Sequence, residues 1–406
     1  MGEQSIGRPS SRFEFVDEAI AHQHQAQRWR SLTPVHPIDA VHIQKGDRQL
    51  LNFSANDYLG LSKHPQLITA AQSYAEQYGT GATASRLVSG TYDIHAQLET
   101  AIATAVGREA ALVFNSGFQA NVSIISTLVD RNSLVVCDRL VHNSIVQGIL
   151  LSRARLKRFR HNDLAHLESI LKTAENGTYN RVLVISETVF SMDGDRSDVD
   201  GLVALADRYQ TLLYLDDAHA LGVLGPQGMG LAAHNPGIDV VVGTFGKAFG
   251  SFGAFVACSE KLRNYLVNFC PGLIYTTALP PSVIGTILTA LDLIPTLEQE
   301  RAHLHHLADQ LRDRLQTLGY GTAGSSSQIV PLIVGTDEAA LAMAKMLEEK
   351  EIGAIAIRPP TVPNGTARIR LALSSCHTQE HLSQLMNAIQ HSRKTADERR
   401  QQTASG

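Results

Sequence analysis

The sequence predicts an α/β fold, with a mostly parallel sheet in a large domain and a smaller α+β domain at its C-terminal side. Two observations carry the prediction. From residue 51 to about residue 260, short apolar runs alternate with helical patterns, the runs lying at 111–114, 134–137, 182–186, 212–215, 240–243 and 254–258. They are apolar throughout, as strands buried on both faces are, and the helices between them supply the parallel crossovers. Beyond residue 281 the pattern changes to long helical stretches, followed by short strands with alternation, which belong to a different kind of layer.

Taken in order, residues 1–11 are polar and read as disordered, and residues 13–30 read as a polar helix rich in His and Gln. With the segment to residue 50 they form an N-terminal arm and helix. The large α/β domain spans 51–280. The small α+β domain spans 281–392, opening with a helical stretch over 281–327 whose leucines recur at heptad-like spacing from Leu288 to Leu318. A strand at 328–334, a helix at 337–350, a strand at 368–373 and a helix at 378–392 follow. In the strand at 368–373, Arg368 and Arg370 alternate with Ile369 and Leu371. Residues 393–406 are charged and polar and are expected to be a disordered tail. No internal repeat is present.

With 406 residues the chain can bury a large core and build more than one domain. Apolar residues are 44% and the net charge is -4, so composition points to neither nucleic acid nor membrane as a partner. The basic run Arg153, Arg155, Lys157, Arg158 and Arg160 reads as the solvated side of a connecting strand. Cys137, Cys258, Cys270 and Cys376 form no CxxC pair, which fits free thiols in a reducing compartment. No apolar run is long enough to span a bilayer, and residues 1–11 lack the apolar core of a signal peptide. The expected location is cytoplasmic.

The chemistry gathers at the ends of the apolar runs. Lys247 follows the run at 240–243, within Thr244-Phe245-Gly246-Lys247-Ala248-Phe249-Gly250. Glycines admit a bulky group close to the backbone. A lysine partly desolvated there has its pKa lowered from about 10.4, as a Schiff-base lysine requires. Asp216-Asp217-Ala218-His219 follows the run at 212–215. Strand alternation lets only one of the two aspartates face a ligand at the strand's carboxyl end. A buried aspartate there can keep a pyridinium nitrogen protonated, with His219 near a phenolate oxygen of the same ring. A metal site is the weaker reading, since thiolates and a second nearby histidine are lacking; no metal is expected.

Ser116-Gly117-Phe118 opens a helix after the run at 111–114, where backbone N–H groups can bind phosphate. With Thr244 and Lys247 it suggests one phosphate held by several loops. Neither GxGxxG nor GxxxxGK[ST] occurs, which argues against dinucleotide and P-loop sites. His142 is placed to stack on an aromatic ring, and the loop Glu187-Thr188-Val189-Phe190-Ser191-Met192-Asp193-Gly194 offers further polar groups. In Arg358-Pro359-Pro360-Thr361-Val362-Pro363 the prolines stiffen the loop, and Arg358 is suited to paired hydrogen bonds with a carboxylate.

Together these segments resemble the class II pyridoxal-phosphate enzymes, and specifically the α-oxoamine synthases. The resemblance rests on 244–253 around Lys247, on Ser54-Ala55-Asn56-Asp57-Tyr58-Leu59-Gly60, on Asp216-Asp217-Ala218-His219, and on the arginine–proline loop followed by 365–370. It runs from about residue 15 to residue 392. It implies a fold type I PLP-dependent transferase and a PLP-dependent acyltransferase activity. Lys247 then carries pyridoxal 5'-phosphate, His142 stacks on its ring, Asp216 pairs with the ring nitrogen and His219 meets the phenolate oxygen. Gly117, Phe118, Ser191 and Thr244 help to hold the cofactor. Asn56, His142 and Arg358 lie at the amino-acid substrate, and Arg30 (or its neighbour Arg28) and Thr361 lie at the acyl substrate. A homodimer with shared active sites is implied, Thr276 or Thr277 reaching a neighbour's phosphate. The implied substrates are L-alanine and a pimeloyl thioester, either pimeloyl-CoA or a pimeloyl-carrier protein, joined with loss of carbon dioxide in biotin biosynthesis. A sister synthase using glycine or another acyl thioester, and a non-catalytic binding protein on the same fold, are the alternatives.

Overall fold

The structure, a computed structural model, describes residues 12–26 and 28–404, with side chains to residue 391. The expected disorder of residues 1–11 lies outside the described residues. The main sheet has seven strands: β1 (Ala110–Phe114), β2 (Leu134–Asp138), β3 (Arg155–Phe159), β4 (Val182–Glu187), β5 (Leu212–Asp216), β6 (Val240–Thr244) and β7 (Ala254–Cys258). Their order is β1-β7-β6-β5-β4-β2-β3. The β3, β2, β4, β5 and β6 strands run parallel to one another, whereas β7 is antiparallel to both β1 and β6.

Each apolar run of the sequence became one of these strands. The addition is β3, which carries the basic run along the sheet's outer edge. There Arg155 and Arg158 are exposed while Phe159 is buried. Cations on an open edge discourage pairing with another chain.

Strand alternation divides the core. Leu134, Val136, Leu213 and Leu215 pack on one face with the helices Leu164–Ala174 and Val199–Arg208. Val135, Cys137 and Tyr214 pack on the other with Gly117–Leu128 and Asn143–Ser152. Many helix starts are set by a side-chain cap: Ser116, Asp163, Asp198, Ser259 and Thr336 each accept a hydrogen bond from a backbone N–H in the first turn.

A second, three-stranded antiparallel sheet orders Ile329–Gly335, Ala367–Ala372 and Ile355–Ile357. The helix stretch at 281–327 resolves into Pro281–Leu293 and Glu298–Thr317. The first of these packs against Pro65–Tyr78, where Gly285 allows the approach: a Cβ there would stand 2.5 Å from the Tyr74 ring. The last helix is Gln379–Ala404. Its backbone continues through residues expected to form a disordered tail. That stretch has no Gly or Pro before Gly406 and is rich in Arg, Gln and Ala, which are good helix formers.

One pairing was not foreseen. Arg48–Asn52 lies in a four-stranded sheet with His36–Pro37, His42–Lys45 and Ile352–Gly353, parallel to the last of these. The start of the expected large domain is thereby bonded to the C-terminal part of the chain.

A buried ion pair secures the loop at 80–90. Arg86 donates to both Glu99 oxygens at 2.7 and 3.0 Å, and Glu99 also accepts from the Val113 N–H at 3.0 Å. Those side chains are only 10% and 8% exposed. The same loop receives the Ala278 N–H on the Ala84 carbonyl at 3.0 Å, which positions Thr276 and Thr277. Removing one partner leaves the other charge buried. Arg86→Met is therefore expected to lower stability by about 3–5 kcal/mol in urea unfolding.

Candidate active site

Strands β4, β5 and β6 end together, and a cavity of about 180 Å³ opens at their carboxyl ends. Its walls include Gly117, Phe118, Asn121, His142, Glu187, Asp216, His219, Thr244 and Lys247. A larger groove of about 690 Å³ lies along the last helix but brings no comparable set of groups together. Convergent titratable side chains, rather than size, mark the smaller cavity as the site.

Asp216 ends β5 and faces the cavity. Its Oδ2 accepts from Asn121 Nδ2 at 2.8 Å, and its Oδ1 from the Ala218 N–H at 3.0 Å. Asn121 is itself steered by the Tyr214 hydroxyl, which donates to its Oδ1 at 2.6 Å. Asp217 points to the opposite face. It accepts from the Thr188 hydroxyl and from the N–H groups of Leu231 (3.2 Å) and Ala232 (3.1 Å). Burial pushes its carboxyl up to about 6, against those hydrogen bonds. Alternation along the strand thus separates a carboxylate in the cavity from one that ties loops together.

His142 caps the helix Asn143–Ser152. Its Nδ1 accepts from the Ser144 N–H at 3.2 Å and lies 2.7 Å from the Ser144 hydroxyl. That hydroxyl also accepts from Asn121 Nδ2 at 2.9 Å. Burial lowers the His142 pKa, with Asp216 partly opposing. Its backbone N–H donates to Glu187 Oε1 at 2.5 Å. Burial raises Glu187 well above the usual carboxyl range; Asp216 adds to this and Lys247 opposes it. His219 is held by the Tyr58 hydroxyl, 2.7 Å from Nδ1, and burial takes it well below the ordinary value. Lys247 is half-buried at the cavity. Burial lowers its amine to about 8 although Asp216 and Glu187 favour the charge. An amine of that pKa is substantially neutral near pH 8 and nucleophilic.

Gly117 and Phe118 present the first turn of Gly117–Leu128 to the cavity. Thr244 donates to the Gly253 carbonyl at 2.9 Å and accepts from the Gly246 N–H at 3.2 Å, which shapes the lysine loop. The donor set fits pyridoxal phosphate: a carboxylate for the ring nitrogen, imidazoles for the ring and its oxygen, an amine for the aldehyde, and helix-start amides for the phosphate. Among the described residues, no three His, Cys, Asp or Glu side chains are arranged to hold a metal ion.

The remaining expected residues lie further out. Asn56 Oδ1 accepts from the Tyr58 hydroxyl at 3.0 Å and from Arg370 Nη2 at 3.0 Å. Arg370 Nε donates to the Ser191 carbonyl at 2.6 Å. Arg370 is buried and adjoins Asn56, Tyr58 and Ser191 as one network, whereas Arg358 is half-buried and does not line the cavity. Thr361, Arg28 and Arg30 are exposed and do not line it either. Thr276 accepts from Asn115 Nδ2 at 3.0 Å, while Thr277 is exposed. Asn121, Glu187, Tyr58 and Arg370 are the site residues that sequence reasoning left out. The alternation of Arg370 with Ile369 and Leu371, and its place in the 365–370 segment, were the signals that could have pointed to it.

The family described as aminotransferase class I and II matches residues 48–389. An 8-amino-7-oxononanoate synthase from Gluconacetobacter diazotrophicus is 49% identical over 370 residues, covering 89% of this chain and 92% of that protein. The crystal structure of 8-amino-7-oxononanoate synthase from Francisella tularensis is 30% identical, with a TM-score of 0.74 over 86% of this chain and 98% of its own. A serine palmitoyltransferase from S. paucimobilis, solved with a bound PLP–myriocin aldimine, is 27% identical, with a TM-score of 0.87 over 96% of this chain and 99% of its own.

The two aspartates are separable by experiment. Asp217→Ala leaves buried donors without an acceptor and is expected to cost about 1–3 kcal/mol in urea unfolding without cofactor. Asp216→Asn keeps an acceptor oxygen in place and is expected to unfold closer to the wild type.

Proposed function

Because the chain belongs to the aminotransferase class I and II family, we propose that it joins L-alanine to a pimeloyl thioester, releasing carbon dioxide and free thiol and giving 8-amino-7-oxononanoate, a step of biotin biosynthesis. The observation that carries this reading is the lowered amine of Lys247 in one cavity with the Asn121-steered carboxylate of Asp216, together with the 49% identity to a synthase of that name. The fold is that of the fold type I transferases, and the cofactor is pyridoxal 5'-phosphate. When bound, it supplies the electron sink that makes the alanine Cα acidic.

The chain's own residues supply the rest. Lys247 Nζ holds the cofactor, takes the Cα proton and returns one after carbon dioxide has left. Asp216 keeps a proton on the ring nitrogen, and Asn121 keeps Asp216 aimed. His142 and His219, both held in hydrogen bonds that fix their rings, face the ring and its oxygen. The amides of Gly117 and Phe118, with Thr244, favour the phosphate, and Ser191 helps to hold the cofactor.

Arg370 and Asn56 receive the alanine carboxylate in this reading. This revises the expectation for Arg358, because Arg370 is the buried guanidinium already in contact with Asn56. Arg358, Thr361 and Arg30 then serve the acyl chain. The new carbon–carbon bond forms between alanine Cα and the thioester carbonyl as the thiol leaves. Either CoA or a carrier protein suits as the carrier.

A homodimer with shared sites completes the reading. Phe118 lines the cavity yet is 52% exposed, and Tyr275 is 83% exposed. Apolar groups of that size at a site are better covered by a second copy. Thr277 is the better choice to reach a partner's phosphate, since it is exposed whereas Thr276 is half-buried. No helix among the described residues is long and apolar enough to cross a membrane, and a cytoplasmic enzyme is proposed.

The likeness to serine palmitoyltransferase, with the higher TM-score of 0.87, favours one second reading, a sister synthase with another amino acid and acyl thioester. Carbon dioxide release measured across an amino-acid by acyl-thioester matrix decides. Highest kcat/KM is expected for L-alanine with pimeloyl thioester, and a maximum elsewhere in the matrix overturns the assignment. In equilibrium titrations Arg370→Ala is expected to raise the alanine Kd by about one to two powers of ten, the worth of a charge-assisted hydrogen bond. Arg358→Ala should leave that Kd unchanged and raise the KM for thioester.

A further inference from the structure

The loop at 188–197 folds back on itself as a strap. The Phe190 N–H donates to the Asp195 carbonyl at 3.0 Å, the Gly194 N–H to the Phe190 carbonyl at 2.8 Å, and the Ser197 N–H to the Thr188 carbonyl at 3.1 Å. One side of the strap is tied to the main sheet. His161 Nε2 lies 2.8 Å from Asp195 Oδ2, and its Nδ1 lies 3.0 and 3.1 Å from the two oxygens of Asp138, the last residue of β2. The ring sits edge-on to Phe190, with centroids 4.4 Å apart.

The tip of the strap reaches the small sheet. Arg368 donates to Asp193 at 2.6 Å and Arg370 Nε to the Ser191 carbonyl at 2.6 Å. The Gly194 carbonyl accepts from the Ser326 N–H at 3.0 Å and the Ser327 hydroxyl at 2.7 Å. Gly194 is confined there at φ +69°, and a Cβ would stand 2.0 Å from the Ile329 carbonyl oxygen. The strap is thus the link between β2 and the guanidinium that faces Asn56.

We propose that His161 is a positioning residue, pinning the 188–197 strap to the main sheet so that its tip holds Arg370 in the orientation that receives the amino-acid carboxylate. The geometry itself requires a charged ring. Both nitrogens face carboxylates, and a neutral imidazole has only one N–H to donate. Burial alone would lower the pKa, but Asp138 and Asp195, the two charged groups facing the ring, outweigh it and raise it to about 10. His161 touches no reacting atom and acts through Arg370. The inference rests on the proposed function only for the identity of the ligand.

The test uses the holoenzyme and two variants, His161→Gln and Asp195→Asn, so that a folding failure in one leaves the other to decide. Amide exchange at Phe190, Gly194 and Ser197 is expected to quicken at least tenfold in each. The alanine KM should rise about tenfold, the worth of one misaligned hydrogen bond, with cofactor content and thioester KM within twofold of wild type. The folded pKa is raised above the ordinary 6.5, so the stability difference between wild type and His161→Gln should be full below pH 6.5 and vanish as pH rises through about 10. Unchanged exchange at those amides, or faster exchange with an unchanged alanine KM, overturns the proposal. If the wild type turns over no alanine with pimeloyl thioester, the proposed function falls by itself, and exchange still decides whether His161 pins the strap.

Discussion

The hydrogen bond from Asn121 to Asp216 governs the site more than any other single contact. A carboxylate taken out of water at the end of a parallel strand needs hydrogen-bond donors. Asn121 satisfies it from the neighbouring helix, and Tyr214, two residues earlier on the same face of β5, holds Asn121 in turn. Burial brings Lys247 down to about 8 while Asp216 and Glu187 keep it from falling further. The Asn121 amide also reaches Ser144, and through it the His142 ring. One amide side chain thereby orients a carboxylate and an imidazole on two walls of the same cavity.

The cavity is assembled from parts that are far apart in the chain, and each carries its own fastening. The lysine loop is closed by the pairing of Thr244 with Ala254 in the β6–β7 ladder. The segment bearing Thr276 and Thr277 is held by the 80–90 loop, which in turn hangs on the Arg86–Glu99 pair. Arg370 comes from the small sheet and is met from the other side by Asn56 and Ser191. Such redundancy suits a site whose groups must keep their directions to within a fraction of an ångström.

Much of the fold could be read from the sequence because a doubly covered parallel sheet writes itself as uninterrupted apolar runs. The exception, β3, shows no apolar run; its basic run reads instead as the solvated side of a connecting strand, and it is the sheet's edge. Lys247, Asp216, His219 and His142 were legible because each follows directly on a strand or opens a helix. Arg370 was passed over for Arg358. A proline-stiffened loop draws attention to its arginine, but burial and register decide which guanidinium meets Asn56, and neither shows in composition. Glu187 stood in view only as part of a polar loop; its place under the His142 backbone depends on β2 and β4 being neighbours. The pairing of Arg48–Asn52 with Ile352–Gly353 leaves no periodic trace at all.

That pairing has a consequence for the order in which the protein is made. Asn52 leaves the ribosome about 300 residues ahead of Gly353, its partner in the ladder. All seven main-sheet strands have been synthesised by Cys258, so the main sheet can condense while the early strand still waits. Paired from the start with His42–Lys45, that strand gains its second neighbour only when the final third of the chain arrives, and with it comes Ala372, whose N–H bonds the Phe53 carbonyl at 2.8 Å. Arg370 lies two residues before Ala372. The same closing event that joins the two ends of the molecule brings Arg370 to Asn56, so a nascent chain holds its lysine and aspartate long before that guanidinium network can form.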